Sequence, residues 1–195
     1  MAYIFVGLGN PGEEYKDTRH NTGRMLLEMF GKSLGAQWKA DKKLNATVAK
    51  VKAGKTPVTL VLPESYMNNS GKSVKPLVTS MKGAEKLLVI YDDLDLPFES
   101  AKISFNKSSG GHKGLESIIK SIKTEKFARI RIGIAPTTPN GKMKKPNGED
   151  AVMKVILGKF KPDEIATLKR LSKRVNEALT TFVSEGLEKA MTGFN

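Results

Sequence analysis

The chain has no cysteine and only two histidines among its 195 residues. The lack of cysteine excludes disulfides, thiolate nucleophiles and cysteine-bound metals, and it fits a reducing compartment. No apolar run approaches the roughly 18 residues that a membrane span needs, and the first residues lack the basic leader of a secretory signal. These absences predict a cytoplasmic protein without a membrane segment, with the mitochondrion as the alternative compartment.

Acidic residues are also scarce relative to basic ones. Against 33 Lys and Arg there are 20 Asp and Glu, which gives a formal net charge of +13. An excess of this size points to a polyanionic partner such as nucleic acid. The alternative is a lysine-rich surface that only aids solubility.

Apolar strand-like segments alternate with amphipathic helical segments along the chain. This pattern predicts a single α/β domain over residues 1–195, with a twisted mixed, mostly parallel sheet flanked by helices on both faces. Strands are predicted at 3–8, 45–52, 58–63, 86–97, 101–105 and 129–135, and helices at 23–35, 70–83, 114–123 and 162–185. Pro76 would kink the second helix. The Pro/Gly-rich segment 135–150 predicts a polar, mobile loop.

The stretch GLGNPG at residues 7–12 satisfies G-x-G-x-x-G, the dinucleotide-binding fingerprint. A dinucleotide site also needs a helix that opens at the glycines and an acid at the end of the second strand. Pro11 and Gly12 interrupt such a helix, and the second strand ends near Lys50 and Lys52 instead. We therefore interpret the stretch as a tight turn that presents Asn10 at the end of a strand. A nucleotide-dependent oxidoreductase is the weaker alternative.

Four further polar motifs lie at the ends of predicted strands or before predicted helices: TRHN at 18–21, SYMNNSGK at 65–72, YDDLDLP at 91–97 and SSGGHKGL at 108–115. Strands that meet at one sheet edge would bring them together. A histidine beside a carboxylate is the minimal general base, so His20 with Asp92, Asp93 or Asp95 would activate water.

Other catalytic chemistries find less support in the sequence. There is no cysteine and no G-x-S-x-G elbow to supply a nucleophile. The histidines are 92 residues apart and form no H-E-x-x-H pattern, which argues against a metal. His112, between glycine-rich segments, is expected to fill a turn.

Five motifs in order, GLGNPG..Y..TRHN.G, SYMN.SGK, DDLDLP, GGHKGL and RIRIGI, resemble the peptidyl-tRNA hydrolase family of the bacterial type. The stretch ILGKF at 156–160 and the terminal helix extend the resemblance over nearly the whole chain. It implies a monomeric α/β enzyme without metal or cofactor. Such an enzyme cleaves the ester that joins a peptide to the 3′-terminal ribose of tRNA and so recycles tRNA.

The resemblance also implies roles for individual residues. His20 corresponds to the catalytic base, Asp92 to its carboxylate partner, and Asn10 to the asparagine that binds the substrate's peptide. The other matched positions bind substrate or tRNA: Asn68 as a substrate contact and oxyanion donor, Met67 in the pocket wall, Tyr15 and Tyr66 as aromatic residues at the tRNA end and the cleft, and Lys102 and Arg131 toward tRNA phosphate.

The chain departs from the family at several positions near these motifs. Lys113 stands where the family has asparagine, Glu99 where it has glycine, and Ser104 where it has a basic residue. We expect Lys113 to bind the phosphates at the tRNA 3′ end. The departures also leave open a catalytically weakened relative that binds tRNA or other RNA.

Overall fold

In residues 2–138 and 140–195, which the computed structural model describes, seven strands form one sheet in the order β2-β3-β4-β1-β5-β7-β6. The strands are β1 (Tyr3–Gly7), β2 (Lys39–Asp41), β3 (Ala46–Ala53), β4 (Thr56–Pro63), β5 (Leu87–Pro97), β6 (Ala101–Phe105) and β7 (Ala128–Ala135). The helices are α1 (Thr22–Ser33), α2 (Gly71–Val74), α3 (Met81–Ala84), α4 (Lys113–Ile122), α5 (Glu149–Ile156), α6 (Pro162–Ser184) and α7 (Leu187–Phe194).

The centre of the sheet is parallel and its margins are antiparallel. β1 lies between β4 and β5 and is parallel to both, and β5 is parallel to β7. β3 and β6 run antiparallel to their inner neighbours, and β2 runs antiparallel to β3. This confirms the mixed α/β sheet, and it puts the carboxyl ends of four strands at one edge.

Alternate residues of the central strands pack against helices on opposite faces of the sheet. Phe5 and Ile90 belong to a core that includes residues of α1 and α6. Val6, Val89 and Tyr91 belong to a second core with residues of α2 and α4. Strands buried on both faces are typical of parallel sheets covered by helices, and the predicted arrangement is confirmed.

The predicted helix over residues 70–83 is wrong. The structure has two four-residue helices there, α2 and α3, separated by an irregular segment. Pro76 explains the break, because proline has no N–H for the helical hydrogen bond and disfavours helical geometry at the residue before it. The helix predicted at 162–185 is confirmed as α6. The final helix, α7, was not predicted; α7 follows Gly186, whose φ is 90°.

The polar segment between β7 and α5 forms a small hairpin in its described part. Thr138 N–H donates to the carbonyl of Lys142 at 2.8 Å, and Lys144 N–H donates to that of Pro136 at 2.7 Å. Pro139, which the predicted mobile loop includes, lies outside the described residues, as does Met1. In the part of the chain that is described, no helix combines the length and apolar character of a membrane span.

Candidate active site

Asp92 lies in the middle of β5, two residues beyond Ile90, the last β5 residue that pairs with β1, and between two histidine rings. His20 Nδ1 is 3.0 Å from Asp92 Oδ2, and His112 Nε2 is 3.0 Å from Asp92 Oδ1. Only 8% of His20 and 3% of Asp92 is exposed. Residues 20, 92 and 112 thus form one buried hydrogen-bonded cluster at the sheet edge.

Close backbone packing brings His20 to this position. His20 lies in a one-turn 3₁₀ helix, Arg19–Asn21, which leads directly into α1. A Cβ atom on Gly23 would collide with the carbonyl oxygen of Ile90, so glycine allows the start of α1 to rest on β5. Since Asp92 follows Ile90 by two residues, this contact sets His20 beside the carboxylate.

The carboxylate determines the state of the His20 ring. Because Nδ1–H donates to Asp92, the lone pair of the neutral ring is on Nε2. Burial by itself would lower the pKa of His20, but the charge and hydrogen bond of Asp92 outweigh burial and raise it. Burial would likewise raise the pKa of Asp92, yet His20 and His112 together hold it well below its usual range. An ionised acid that orients a basic imidazole is suited to general-base chemistry.

His112 has a larger part in the cluster than the sequence indicated. Its Nδ1 accepts from Leu115 N–H at 3.2 Å and so caps α4, a structural role different from the turn residue expected. Its Nε2–H then donates to Asp92. The prediction of a turn residue was therefore incomplete, and the GGH motif beside the acidic strand end was the signal for the second contact.

Asn10 follows β1 and is fixed by three hydrogen bonds. Its Oδ1 accepts from Met67 N–H at 2.8 Å, and its main chain exchanges two hydrogen bonds of 2.9 Å with the side chain of Asn21. Because the amide oxygen is engaged, the NH₂ group is the end available to a ligand. A cavity of about 500 Å³ adjoins Asn10 and Asn21.

The segment after β4 forms the rim of the site. Met67 is buried and packs closely on Gly114, whereas Asn68 is exposed. Tyr66 is 62% exposed and meets Tyr15 edge-on, with ring centroids 6.4 Å apart. The two predicted tyrosines therefore come together at the surface and are not core residues.

The alternative acids contact basic side chains and not His20. Asp93 Oδ2 accepts from Arg131 Nε at 2.7 Å, and Asp95 pairs with Lys145. Lys102 is exposed on β6 directly opposite Arg131 in the β6–β7 register. The structure thus places His20 beside Asp92 and sets Lys102 and Arg131 next to each other.

The family model described as Peptidyl-tRNA hydrolase matches residues 4–195. The chain belongs to the peptidyl-tRNA hydrolase family. It is 39% identical over 189 residues to a peptidyl-tRNA hydrolase of Aquifex aeolicus, covering 96% of this chain and 93% of that one. It is 40% identical over 195 residues to one of Herpetosiphon aurantiacus, covering 99% and 90%. The crystal structure of peptidyl-tRNA hydrolase from Acinetobacter baumannii is similar with a TM-score of 0.87 and 30% identity, covering 100% of this chain and 94% of that one.

Within this member of the peptidyl-tRNA hydrolase family, the departures have distinct surroundings. Glu99 is exposed and adopts a φ of 73°, a conformation that favours glycine. Lys113 is the exposed first residue of α4. Ser104 is buried on β6 opposite Arg129, and its hydroxyl has no hydrogen-bond partner among the described residues.

Arg129 is a supporting residue that the sequence did not reveal. It is completely buried, and its guanidinium donates to the carbonyl oxygens of Ser108 and Glu125 at 2.9 and 3.3 Å. The bond to Ser108 anchors the segment that leads into the GGH motif, and the bond to Glu125 holds the segment that follows α4. Of the two arginines in RIRIGI, Arg131 is partly exposed whereas Arg129 is buried.

The histidine cluster also has the composition of a metal site. The ligand atoms of His20, Asp92 and His112 lie within 4.8 Å of one another, and two histidines with a carboxylate are a familiar zinc set. The argument from sequence separation against a metal is thereby removed, because the fold brings the two histidines together. Here an N–H group of each ring donates a hydrogen bond to the carboxylate, so treatment with a chelator is the informative test.

Proposed function

We propose that this protein hydrolyses the ester bond between the peptide and the tRNA 3′ ribose in peptidyl-tRNA, which releases tRNA for reuse. The observation that carries the proposal is the buried His20–Asp92 pair, with the basic Nε2 of His20, in a chain of this family. Homologues over nearly the whole chain bear the name of this activity.

In the proposed mechanism, His20 Nε2 takes a proton from water as the water oxygen attacks the ester carbonyl carbon. The ionised Asp92 stabilises the resulting imidazolium. When the tetrahedral intermediate collapses, the ester C–O bond breaks and the imidazolium returns the proton to the departing 3′ oxygen. The products are tRNA with its 3′ hydroxyl and the peptide carboxylic acid, which loses its proton to solvent and becomes the carboxylate.

Asn10 and Asn68 are proposed to recognise the acyl part of the substrate. The free NH₂ of Asn10 would donate to a peptide carbonyl, which peptidyl-tRNA has and free aminoacyl-tRNA lacks. Asn68, exposed at the rim, would donate to the oxyanion of the intermediate. Met67 would form the wall between these two groups.

We assign the tRNA acceptor end to the basic and aromatic rim. Lys102, Lys113 and Arg131 would meet phosphates, and Tyr15 and Tyr66 would face the tRNA end and the cleft. Phosphate contacts provide affinity and position but do not read sequence. The net charge of +13 supports a polyanionic substrate.

We further propose that the enzyme acts as a monomer without a metal or cofactor. Its substrate arises where proteins are synthesised, so we place it in the cytoplasm, with the mitochondrion as the alternative. The lack of cysteine is consistent with either reducing compartment.

The test compares the cleavage of N-blocked aminoacyl-tRNA with that of free aminoacyl-tRNA, with and without a chelator. Cleavage is followed as the appearance of tRNA with a free 3′ hydroxyl. We expect cleavage of the blocked substrate alone, unaffected by the chelator. His20→Ala is the control, with turnover reduced about 10²- to 10⁴-fold and tRNA binding kept. Equal cleavage of both substrates, or loss with the chelator, would contradict the proposal. Binding without turnover would favour the weakened relative.

A further inference from the structure

The turn that carries His20 has little stability of its own. It is a single 3₁₀ turn, Arg19–Asn21, and one turn of helix provides few internal hydrogen bonds. The chain before this turn must therefore be held by contacts with another part of the protein if the His20 ring is to stay in place. Those contacts are made by residues 158–164, which comprise the end of the ILGKF stretch (156–160) and the start of α6.

Main-chain pairing makes the first part of this contact. Arg19 N–H donates to the carbonyl of Gly158 at 3.0 Å, and Phe160 N–H donates to that of Asp17 at 2.9 Å. Thr18 and Lys159 form an antiparallel bridge between these bonds. The segment entering α6 thus lies alongside the residues that lead into the catalytic turn.

The side chain of Arg19 makes the second part. Its guanidinium carbon lies 4.7 Å from the centre of the Phe160 ring, and its NH2 group donates to Glu164 Oε1 at 2.8 Å. The two charged side chains are only 17% and 18% exposed. Removing one member of a pair this buried leaves the other charge without compensation, so the contact is sensitive to substitution.

Glu164 is itself fixed by the helix. Its second oxygen, Oε2, accepts from Lys161 N–H at 2.7 Å, in the first turn of α6. One carboxylate therefore joins the start of the 23-residue helix α6 to the residue immediately before His20. The His20 ring itself is bonded to Asp92, and the His112 ring centre lies 5.0 Å from the centre of the His20 ring.

We propose that Glu164 is a positioning residue for His20 and acts through Arg19, an inference that rests on the hydrolysis proposed above. Glu164→Gln removes the charge and leaves a single amide oxygen for two donors. Displacement of a catalytic group by about 1 Å can cost about 10²-fold in rate. We expect kcat to fall about 10- to 100-fold while KM changes less than about threefold.

Asp163→Asn is the matched control. It removes the same charge from the same first turn of α6, but Asp163 is exposed, and within the described residues its side chain forms no ion pair. We expect wild-type kcat and KM for this variant. Equal losses in both variants would assign the effect to charge at the helix start and would overturn the proposal.

Proton NMR of the imidazole groups provides a readout independent of turnover, because the chain has only two histidines. The Nδ1 proton of His20, bonded to Asp92, should give a downfield signal that is weakened or lost in Glu164→Gln and retained in Asp163→Asn. Wild-type kcat and an unchanged signal in folded Glu164→Gln would overturn the proposal, even with a lower melting temperature.

Arg19→Lys serves as the second variant if Glu164→Gln does not fold. Lysine keeps the charge but loses the planar stacking on Phe160, so kcat should fall in the same way at unchanged KM. Wild-type kcat in Arg19→Lys would overturn the proposal. Absence of turnover in the wild-type protein would refute the proposed hydrolysis, and the NMR comparison would still test the positioning role.

Discussion

The charge of Asp92 has a consequence for the pH dependence of hydrolysis. Since Asp92 raises the pKa of His20, the fraction of neutral, basic imidazole falls as pH is lowered through a value above the ordinary one of about 6.5. We expect kcat/KM to decline on the acid side with that raised pKa. Titration of the His20 ring by NMR in the free enzyme should give the same value.

Asp92→Asn should shift the acid-side decline of kcat/KM to lower pH and reduce the maximal kcat/KM. Without the charge of Asp92, burial alone acts on His20 and lowers its pKa. Asp93→Asn is the isosteric control, since Asp93 contacts Arg131 and not His20. It should leave the acid-side decline nearly in place. A larger loss in Asp93→Asn than in Asp92→Asn would show that the catalytic acid is assigned wrongly.

Glu99 is a residue at which stability can be gained. A non-glycine residue at a φ of 73° destabilises the folded state by on the order of 1 kcal/mol or more. Glycine would relieve this strain, but part of the gain is lost because glycine has more conformational freedom in the unfolded chain. We expect Glu99→Gly to raise the free energy of unfolding by about 0.5–1 kcal/mol, measured by urea denaturation.

Glu99→Ala is the control for this substitution, because alanine removes the charge but keeps the unfavourable conformation. It should leave the unfolding free energy near the wild-type value. A gain as large with alanine as with glycine would attribute the effect to charge, not to the backbone.

At the scale of elements, α4 joins the catalytic cluster to the substrate rim. Its cap, His112, bonds to Asp92, and its first residue, Lys113, is exposed. A cation at the positive end of a helix is unfavourable, but Glu116 in the first turn offsets part of this charge. A bond to Lys120 and the nearby charge of Lys113 lower the pKa of Glu116.

We expect Lys113→Ala to raise KM and to change kcat less than about tenfold, since the lysine would contact phosphate equally in the ground and transition states. Lys120→Ala removes a lysine from the same helix that is paired with Glu116, and it should alter KM less. Steady-state kinetics with N-blocked aminoacyl-tRNA measures both. A collapse of kcat in Lys113→Ala would place Lys113 in the catalytic machinery.

At the scale of the whole molecule, the excess of positive charge should make binding depend on salt. If about three or four phosphates are neutralised by Lys102, Arg131 and their neighbours, log K should fall against log salt with a slope of about −2 to −4. Fluorescence titration of labelled tRNA over a range of salt concentrations measures this slope. A flat response would contradict the interpretation of the net charge as a tRNA-binding device.

Combining Lys102→Ala with the salt series gives a sharper result. Loss of one phosphate contact should reduce the magnitude of the slope by about 1. Lys55→Ala, at an exposed turn between β3 and β4 and outside the motifs, is the charge-matched control. An equal change of slope in both variants would show that general charge, and not the Lys102 position, is responsible.

The sequence by itself determined the α/β class, six of the seven described strands and the approximate ends of α1, α4 and α6, because the hydrophobic pattern, proline and glycine act locally. It did not predict β2, α5 or α7. It also indicated that His20 and an acid of YDDLDLP form the site, since parallel strands end at one edge. Only the tertiary structure decided that Asp92 faces His20, that Asp93 is paired with Arg131, and that His112 bonds to the same carboxylate. It alone revealed buried Arg129 and the Arg19–Glu164 pair. These choices depend on register and on contacts between residues as many as 145 positions apart, for which a single sequence carries no local signal.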